Sequence, residues 1–232
     1  MGRQGQGTER VKGSLLSDFI LGSQDGLVNV LGIILGMSAA TRDVQLILVA
    51  TLAALGAETV SMGAVAYTST AAKRRFYMGT LEKEKTELKG NSKLGYDEGM
   101  HMLKTWGFRG RELEEGARRI AENPKAMLDL MMSYGLKLAP VGKNEARRSF
   151  VVVLASTLVG SAIPIGPFLF VGNNVLTGAI ASVVASAMVL SFIGFYEAKV
   201  TRGSLWKNAI QMVVIGLTAG FAGFLIGHFL GT

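Results

Sequence analysis

Five long apolar stretches alternate with polar segments along the chain. They cover about residues 19–40, 44–68, 150–171, 175–196 and 210–231. A helix of about 20 apolar residues crosses the roughly 30 Å of hydrocarbon in a bilayer, so each stretch is long enough to span a membrane. The pattern predicts an all-α membrane protein with five transmembrane helices.

The polar segment between the second and third spans is long enough to form a small domain. It runs for about 77 residues, from Lys73 to Ser149. We therefore expect three parts: 1–72 with helices 1 and 2, 73–149 as a cytoplasmic helical insert, and 150–232 with helices 3 to 5. An insert of this size cannot bury a large core, so we expect it to depend on the membrane part or on a second copy.

Helix signals divide this insert further. Residues 73–89 continue the second span, and helices are predicted over about 96–106, 112–122 and 123–135. Gly107 is typical of a residue that ends a helix, whereas Asn123 and Pro124 are typical of an N-cap and a first helical position.

The distribution of charge predicts how the chain crosses the membrane. The chain has 24 Lys+Arg and 17 Asp+Glu, for a formal net charge of +7. Of the 24 basic residues, 23 agree with a cytoplasmic N-terminus and insert, and only Arg42 falls on the other side. An odd number of spans then places the C-terminus outside. No cleavage pattern follows the first span and no targeting segment is evident, so a prokaryotic cell membrane is the simplest location.

The rarity of cysteine and histidine excludes several kinds of site. The chain has no cysteine and two histidines, which excludes a disulfide framework and thiolate metal centres. Glu98 and His101 have the ExxH spacing of di-iron carboxylate bundles, but a second ExxH is missing. No hydrolytic or redox constellation appears, so we expect neither an enzyme nor a permanently bound cofactor.

Ionisable side chains inside a span cost several kcal/mol, so each one suggests a function. Asp18 and Asp25 lie two helical turns apart on one face of the first span, and Asn29 continues that face. Glu58 and Met62 share a face of the second span. Oxygen ligands with one thioether suit a borderline divalent ion such as Fe(II) or Mn(II). Two structural alternatives stay open: Asp18 as a helix cap at the headgroup level, and Met62 as core filler.

The first span contains Asp25-Gly-Leu-Val-Asn-Val-Leu-Gly-Ile-Ile-Leu-Gly36, which resembles the first-span signature of the vacuolar iron transporter family. Ser61-Met62-Gly63, followed by Tyr67 and Ser69, is similar to the second-span motif of that family. Ile163-Pro-Ile-Gly-Pro167 resembles its proline-bearing third span, and prolines there interrupt helical hydrogen bonds. The resemblance covers nearly the whole chain.

This resemblance implies a homodimer whose first and second spans line an ion path. It implies transport of Fe(II), often with Mn(II), out of the cytosol in exchange for protons. Asp25 and Met62 match the transport-path residues of the family, and Asp18 matches an aspartate nearer the entrance. The family has a glutamate just before the tyrosine that Tyr67 matches, but Ala66 stands there in this chain. We infer that Glu58 replaces it.

The resemblance also implies a metal site in the insert. The best matches to its ligands are Glu87, Glu98 and Met131, and Glu84 is a further candidate. His101 stands where a second glutamate of the Glu98 helix is expected. Between residues 73 and 149 the chain has 17 basic and 11 acidic residues, a net charge of +6. A domain that collects cations is expected to be acidic, which favours a weakened site.

Two other functions compete with transport. One is a membrane-anchored protein that binds or senses metal without moving it, but such a protein needs no acid at membrane depth. The other is docking of nucleic acid or anionic lipid by the basic insert. The positive-inside rule already explains that charge, and no ladder of stacking aromatic residues accompanies it, so we expect no nucleic-acid partner.

Overall fold

The computed structural model describes residues 2–90, 92–170, 172 and 174–231, with the backbone alone at 2–12 and 92. This part of the chain is helical and contains no strand. Its α-helices are α1 (Gly2–Ala40), α2 (Val44–Gly90), α3 (Ser92–Thr105), α4 (Gly110–Ala121), α5 (Pro124–Leu130), α6 (Glu145–Ile165), α7 (Val175–Thr201) and α8 (Leu205–Leu230).

Five of these helices are long and apolar enough to cross a membrane. The candidate spans are Gly13–Ala40, Val44–Gly90, Glu145–Leu169, Val175–Thr201 and Leu205–Leu230. The five predicted transmembrane helices are therefore confirmed, and the chain is an integral multi-pass membrane protein. The structure begins α1 at Gly2, well before the first apolar stretch, where the polar N-terminal residues carry no apolar pattern that would predict a helix.

The chain divides into two compact units. Residues 1–67 and 146–232 form the membrane unit, and residues 68–145 form the insert unit. In the membrane unit, the core contains Leu27, Val30 and Leu31 of α1, each fully buried. Since α1 supplies these buried residues, it is the central helix of that unit.

Glycines let α1 approach α8 with its backbone. A Cβ added at Gly223 or Gly227 of α8 would overlap the carbonyl oxygen of Gly32 or Gly36, respectively. Small residues with this four-residue spacing allow such approach in membranes, where close packing replaces the hydrophobic effect. The glycine pairs therefore form a contact within one chain.

A second close contact joins α1 to α6. A Cβ at Gly26 would lie 2.6 Å from the carbonyl oxygen of Thr157, and one at Gly160 would overlap the backbone of Ser23. The hydroxyl of Ser23 donates to the carbonyl oxygen of Phe19, 2.7 Å away, so it is satisfied within its own helix. The backbone of α1 is thus in close contact with α8 on one face and with α6 on another.

Prolines interrupt the third span, as the sequence predicts. The α-helix α6 stops at Ile165, one residue after Pro164, and a 3₁₀ turn over Gly166–Leu169 follows. Since a proline provides no N–H, the carbonyls before it lose helical partners. The hydroxyl of Ser182 in α7 donates to the carbonyl oxygen of Pro164, 2.5 Å away.

The insert unit has a small core built mainly from methionine. Met102, Met127 and Met131 form one buried cluster, and Leu103, Leu113 and Ala117 form another. The predicted N-cap is present, because the side chain of Asn123 accepts a hydrogen bond from the N–H of Ala126 at 3.1 Å. A π-helical turn over Met131–Gly135 follows α5, and no pattern in the sequence predicts it.

Candidate functional site

The polar residues of the first two spans meet in the membrane unit. Asp25 and Asn29 are one turn apart on α1, and Glu58 faces them from α2. The Asn29 side-chain amide donates a hydrogen bond to Oε1 of Glu58. The Asp25 carboxyl group lies beside that of Glu58, within reach of a side-chain hydrogen bond. The structure therefore brings together three of the five residues that the sequence predicts for an ion path.

This acid–amide cluster, formed by Asp25, Asn29 and Glu58, is open at the surface of the single chain. Asp25 and Glu58 are half-buried, and Asn29 is exposed. Asn29 also lies at the edge of an apolar groove of about 440 Å³ between α1 and α8, lined by Gly32, Gly36 and Gly223 among others. Exposed amides and half-buried acids are unfavourable next to hydrocarbon. The cluster therefore requires a polar or protein environment on its open side.

Met62 lies one turn beyond Glu58 on α2 and is half-buried. The next residue, Gly63, packs on α6, because a Cβ there would lie 3.1 Å from the ring of Phe150 and 3.2 Å from the side chain of Leu154. This contact fixes the rotation of α2 near Met62. Since residues four apart share a helix face, the thioether lies on the same side of α2 as the Glu58 carboxyl group.

Asp18 lies within α1, two turns before Asp25. Its interpretation as a helix cap is wrong, because α1 already begins at Gly2. The Oδ2 atom of Asp18 is buried and has no hydrogen-bond partner in the structure. A buried unpaired acceptor costs about 1–3 kcal/mol, and more when it is charged. Asp18 is thus an acid that a proton or a cation would stabilise.

The cluster has the donor types for a divalent transition ion, although one chain supplies few acids. Among the described residues, no group of three or more His, Cys, Asp or Glu could hold a metal ion. Asp25 and Glu58 are two acids, and the remaining ligands would be the Asn29 amide oxygen and the Met62 sulfur. Carboxylate, carbonyl and thioether donors in a flexible set favour a borderline ion over Mg²⁺, which demands rigid octahedral oxygen ligands.

The candidate residues of the insert are not gathered into a site within one chain. Glu84 is 9% exposed, whereas Glu87 is exposed and forms an ion pair with Lys83 at 3.7 Å. Glu98 is half-buried and His101 is exposed. Met131 is buried in the methionine cluster, where it serves as core. The metal site of the insert stays a prediction.

Sequence reasoning did not single out a row of hydroxyl groups on α6. Ser156, Thr157 and Ser161 are buried where α6 meets the glycines of α1. The Oγ1 atom of Thr157 and the Oγ atom of Ser161 have no hydrogen-bond partner. A partial signal was present in the sequence, because Thr157 and Ser161 are four residues apart and therefore share a face of this span.

A helical bundle with acidic and amide groups inside its spans defines an integral membrane protein of the class that moves ions or polar solutes. A model of the VIT family matches residues 16–228, which include the whole cluster and nearly all of the five spans. The chain belongs to this family.

Similar proteins are known from plants and yeast, and the plant proteins carry names that refer to iron. Vacuolar iron transporter 2 of Oryza sativa subsp. japonica is 29% identical over 212 residues, covering 91% of this chain and 86% of that protein. Vacuolar iron transporter 1 of Arabidopsis thaliana is 25% identical, covering 92% of this chain and 85% of that protein. Protein CCC1 of Saccharomyces cerevisiae is 27% identical, covering 91% of this chain and 68% of that protein.

Proposed function

We propose that this protein transports divalent transition metal, Fe(II) and also Mn(II), out of the cytoplasm in exchange for protons. The observation that carries the proposal is the acid–amide cluster, which joins α1 and α2 through the hydrogen bond between Asn29 and Glu58. The names of the relatives support iron as the cargo.

Exchange with protons follows from the chemistry of two neighbouring acids. Asp25 and Glu58 lie side by side in segments that cross the membrane. Two adjacent carboxylates repel one another when both are charged, and either protons or a divalent cation can neutralise them. Because metal and protons compete for the same oxygens, binding of one releases the other. A site that opens alternately to each side then exchanges them.

A second copy of the chain is the proposed cover for the cluster. Asn29 is exposed, and the groove between α1 and α8 continues from it along an apolar surface lined by small residues. Burying this surface against lipid places the exposed side of the Asn29 amide next to hydrocarbon, whereas a symmetric partner brings a second acid–amide cluster opposite the first. A homodimer would therefore supply four acids along one path.

The proposed topology places the N-terminus and the insert in the cytoplasm and the C-terminus outside. It rests on the basic residues, of which 23 of 24 lie on the same side. With this topology, Asp18 lies on the cytoplasmic side of Asp25 and is the first acid that an ion from the cytoplasm meets. The insert residues Glu84, Glu87, Glu98 and His101 would assist by binding ions in the cytoplasm.

The deciding experiment is metal flux into liposomes that contain the purified protein. Liposomes loaded with an Fe(II)-sensitive dye and given an acidic interior should accumulate Fe(II), while the interior becomes less acidic as protons leave. Collapse of the gradient with a protonophore should abolish accumulation against the Fe(II) gradient. Binding that saturates at a fixed ratio to protein, with no accumulation and no proton movement, would instead indicate a metal sensor.

Truncation of Met62 is expected to slow transport. Met62→Ala removes the one soft donor near Glu58, so Fe(II) uptake should fall by about 10-fold to 100-fold, a loss typical of weakened metal ligation. The measurement is the initial rate of uptake in liposomes. Met188→Ala on α7 is the control, because Met188 is 62% exposed on the outside of the bundle. Equal uptake rates for the two variants would show that Met62 is not part of the ion path.

Removal of the insert acids is expected to have a milder effect. The double variant Glu87→Gln with Glu98→Gln should lower the uptake rate by no more than about threefold, since Glu87 is exposed, Glu98 is only half-buried, and charges near water contribute little to binding. Glu114→Gln with Glu122→Gln, also on the insert and exposed, is the matched control. A loss as large as that of Met62→Ala would show that the insert is an obligatory metal site.

A further inference from the structure

A pocket of about 410 Å³ lies in the membrane unit between α1, α7 and α8. It is at the end of the bundle where the residues 41–43 connect α1 to α2, which we name the hairpin end. Apolar residues of α7, including Ile180, Val183 and Val184, form one wall. Ser38, Arg42 and His228 are its polar lining residues. The acid–amide cluster does not take part in this pocket.

Ser38 is a buried polar residue that lacks a partner. It is 8% exposed, its side chain lines the pocket, and its Oγ atom has no hydrogen bond. A buried hydroxyl without a partner costs about 1–3 kcal/mol. An acceptor or donor that enters the pocket would remove this cost. Ser38 therefore indicates a ligand with polar atoms at the level of the final turn of α1.

Arg42 indicates that this ligand is negatively charged. It is exposed, and the salt bridges among the described residues do not include it. The carboxylate of the neighbouring Asp43 is engaged elsewhere, because it caps α2 by accepting from the N–H groups of Gln45 at 2.8 Å and Leu46 at 3.2 Å. Arg42 is also the one Lys or Arg in the connections at this end of the spans, residues 41–43 and 166–174. A lone guanidinium there favours an anion and repels a metal ion.

His228 adds a second nitrogen donor at the same mouth. Its ring stacks on that of Phe224, with 6.0 Å between centroids and 7° between planes, so the imidazole is held in place. Both side chains line the pocket. Arg42, His228 and Ser38 thus surround one opening with hydrogen-bond donors, which is the arrangement that phosphate oxygens require.

The remainder of the pocket is apolar and runs toward the middle of the membrane. Its α7 wall extends from Val175 to Val184, which corresponds to about 14 Å along the helix. We propose that this pocket binds an anionic phospholipid, with the phosphate at Arg42, His228 and Ser38 and one acyl chain along α7. A polar mouth at the depth of the headgroups and an apolar interior match both parts of such a lipid.

Lipid binding can be measured on the full chain in detergent by native mass spectrometry and by thermal unfolding. Phosphatidylglycerol should bind and raise the Tm, and phosphatidylcholine should do so less. Arg42→Gln should weaken phosphatidylglycerol binding by about fivefold, the usual contribution of one basic residue near anionic lipid. The matched control is Arg147→Gln, which removes an exposed arginine at the opposite end of α6 and should leave binding unchanged.

Two further variants separate the headgroup from the acyl chain. Ser38→Ala should leave the lipid-free Tm equal or higher, because it removes an unsatisfied hydroxyl, and should reduce the Tm shift that phosphatidylglycerol produces. Val183→Phe should fill the apolar part and reduce binding of every phospholipid. Val214→Phe is its control, because Val214 is 55% exposed on α8 and lies outside the pocket.

Each contrary result overturns the proposal. If phosphatidylcholine bound as tightly as phosphatidylglycerol, the pocket would not select an anionic headgroup. If inorganic phosphate raised the Tm as much as phosphatidylglycerol, the pocket would be a site for the free anion. Equal losses in Arg42→Gln and Arg147→Gln would show an effect of net charge alone. Lipid loss that occurs only together with dissociation of an oligomer would show that a second copy covers the pocket.

Discussion

Asp25→Asn is expected to abolish Fe(II) transport while the protein still folds and inserts. Asparagine keeps the size and one oxygen of the side chain but removes the charge that Asp25 places beside Glu58. A metal then meets one carboxylate per chain where it had two, and the proton that is exchanged loses one of its two acceptors. We expect the initial rate of uptake in liposomes to fall by at least about 100-fold, at the upper end of losses from altered metal ligation.

Asp43→Asn is the matched control for this variant. It also removes one aspartate charge from the membrane unit, but Asp43 caps α2, and asparagine is an equally good N-cap. Its transport should therefore equal that of the unmodified protein. If Asp25→Asn transports Fe(II) at the rate of Asp43→Asn, the ion does not pass the acid–amide cluster and the proposed path is incorrect.

Gly227→Ala is expected to have the largest effect on folding. The new Cβ would overlap the carbonyl oxygen of Gly36, and both sides of this contact are backbone, so neither helix can yield by rotating a side chain. Overpacking typically costs 1–3 kcal/mol, and we expect at least about 3 kcal/mol here because α1 and α8 must separate along their length. The free energy of unfolding, measured by denaturant titration in detergent, tests this.

Gly56→Ala is the control for Gly227→Ala, because we expect it not to lower the free energy of unfolding. Nothing lies within 4 Å of a Cβ added at Gly56 on α2, so the substitution introduces no clash. Alanine is favoured over glycine in a helix by up to about 1 kcal/mol, and this variant should be as stable as the unmodified chain or slightly more so. If Gly227→Ala were equally stable, α1 and α8 would not have the close approach described above.

The spans could be predicted from the sequence because their signal is strong and local. In a bilayer every backbone group must find its partner within the helix, so long apolar runs have one available structure. The N-cap at Asn123 and the interruption of the third span near Pro164 were predicted for similar reasons, since the chemistry of one residue determines each. The start of α1 was less accessible, because its first residues carry no apolar pattern.

The partners of each helix could not be predicted in the same way. Glycines at four-residue spacing indicate close packing, but the spacing is the same for any partner helix, and the structure was needed to pair Gly36 with Gly227. Likewise, the sequence placed Asn29 and Glu58 on faces of two helices, and their hydrogen bond depends on the tertiary packing of α1 and α2. The residues of the candidate site were therefore predictable, and their contacts were not.

In the insert, the role of a methionine could not be predicted from the sequence. Met131 was a candidate ligand because of its resemblance to a family position, yet its side chain is 7% exposed within a methionine cluster. A methionine serves equally well as a soft ligand and as a flexible core residue, and the sequence does not distinguish the two. The burial of the side chain distinguishes the ligand from the core residue, and this burial depends on the packing of α3, α4 and α5.

The two helices that share the acid–amide cluster differ in how firmly the protein holds them. The span in α1 has 44% of its most apolar window buried, against 22% for α2, and backbone contacts fix α1 on two sides. Asp25 and Asn29 therefore lie on the more deeply buried helix, whereas Glu58 and Met62 lie on the more exposed one. The hydrogen bond from the Asn29 amide to Glu58 joins these two helices across the cluster. If a cation binds Glu58 as proposed, it competes with this amide for the same carboxylate oxygen.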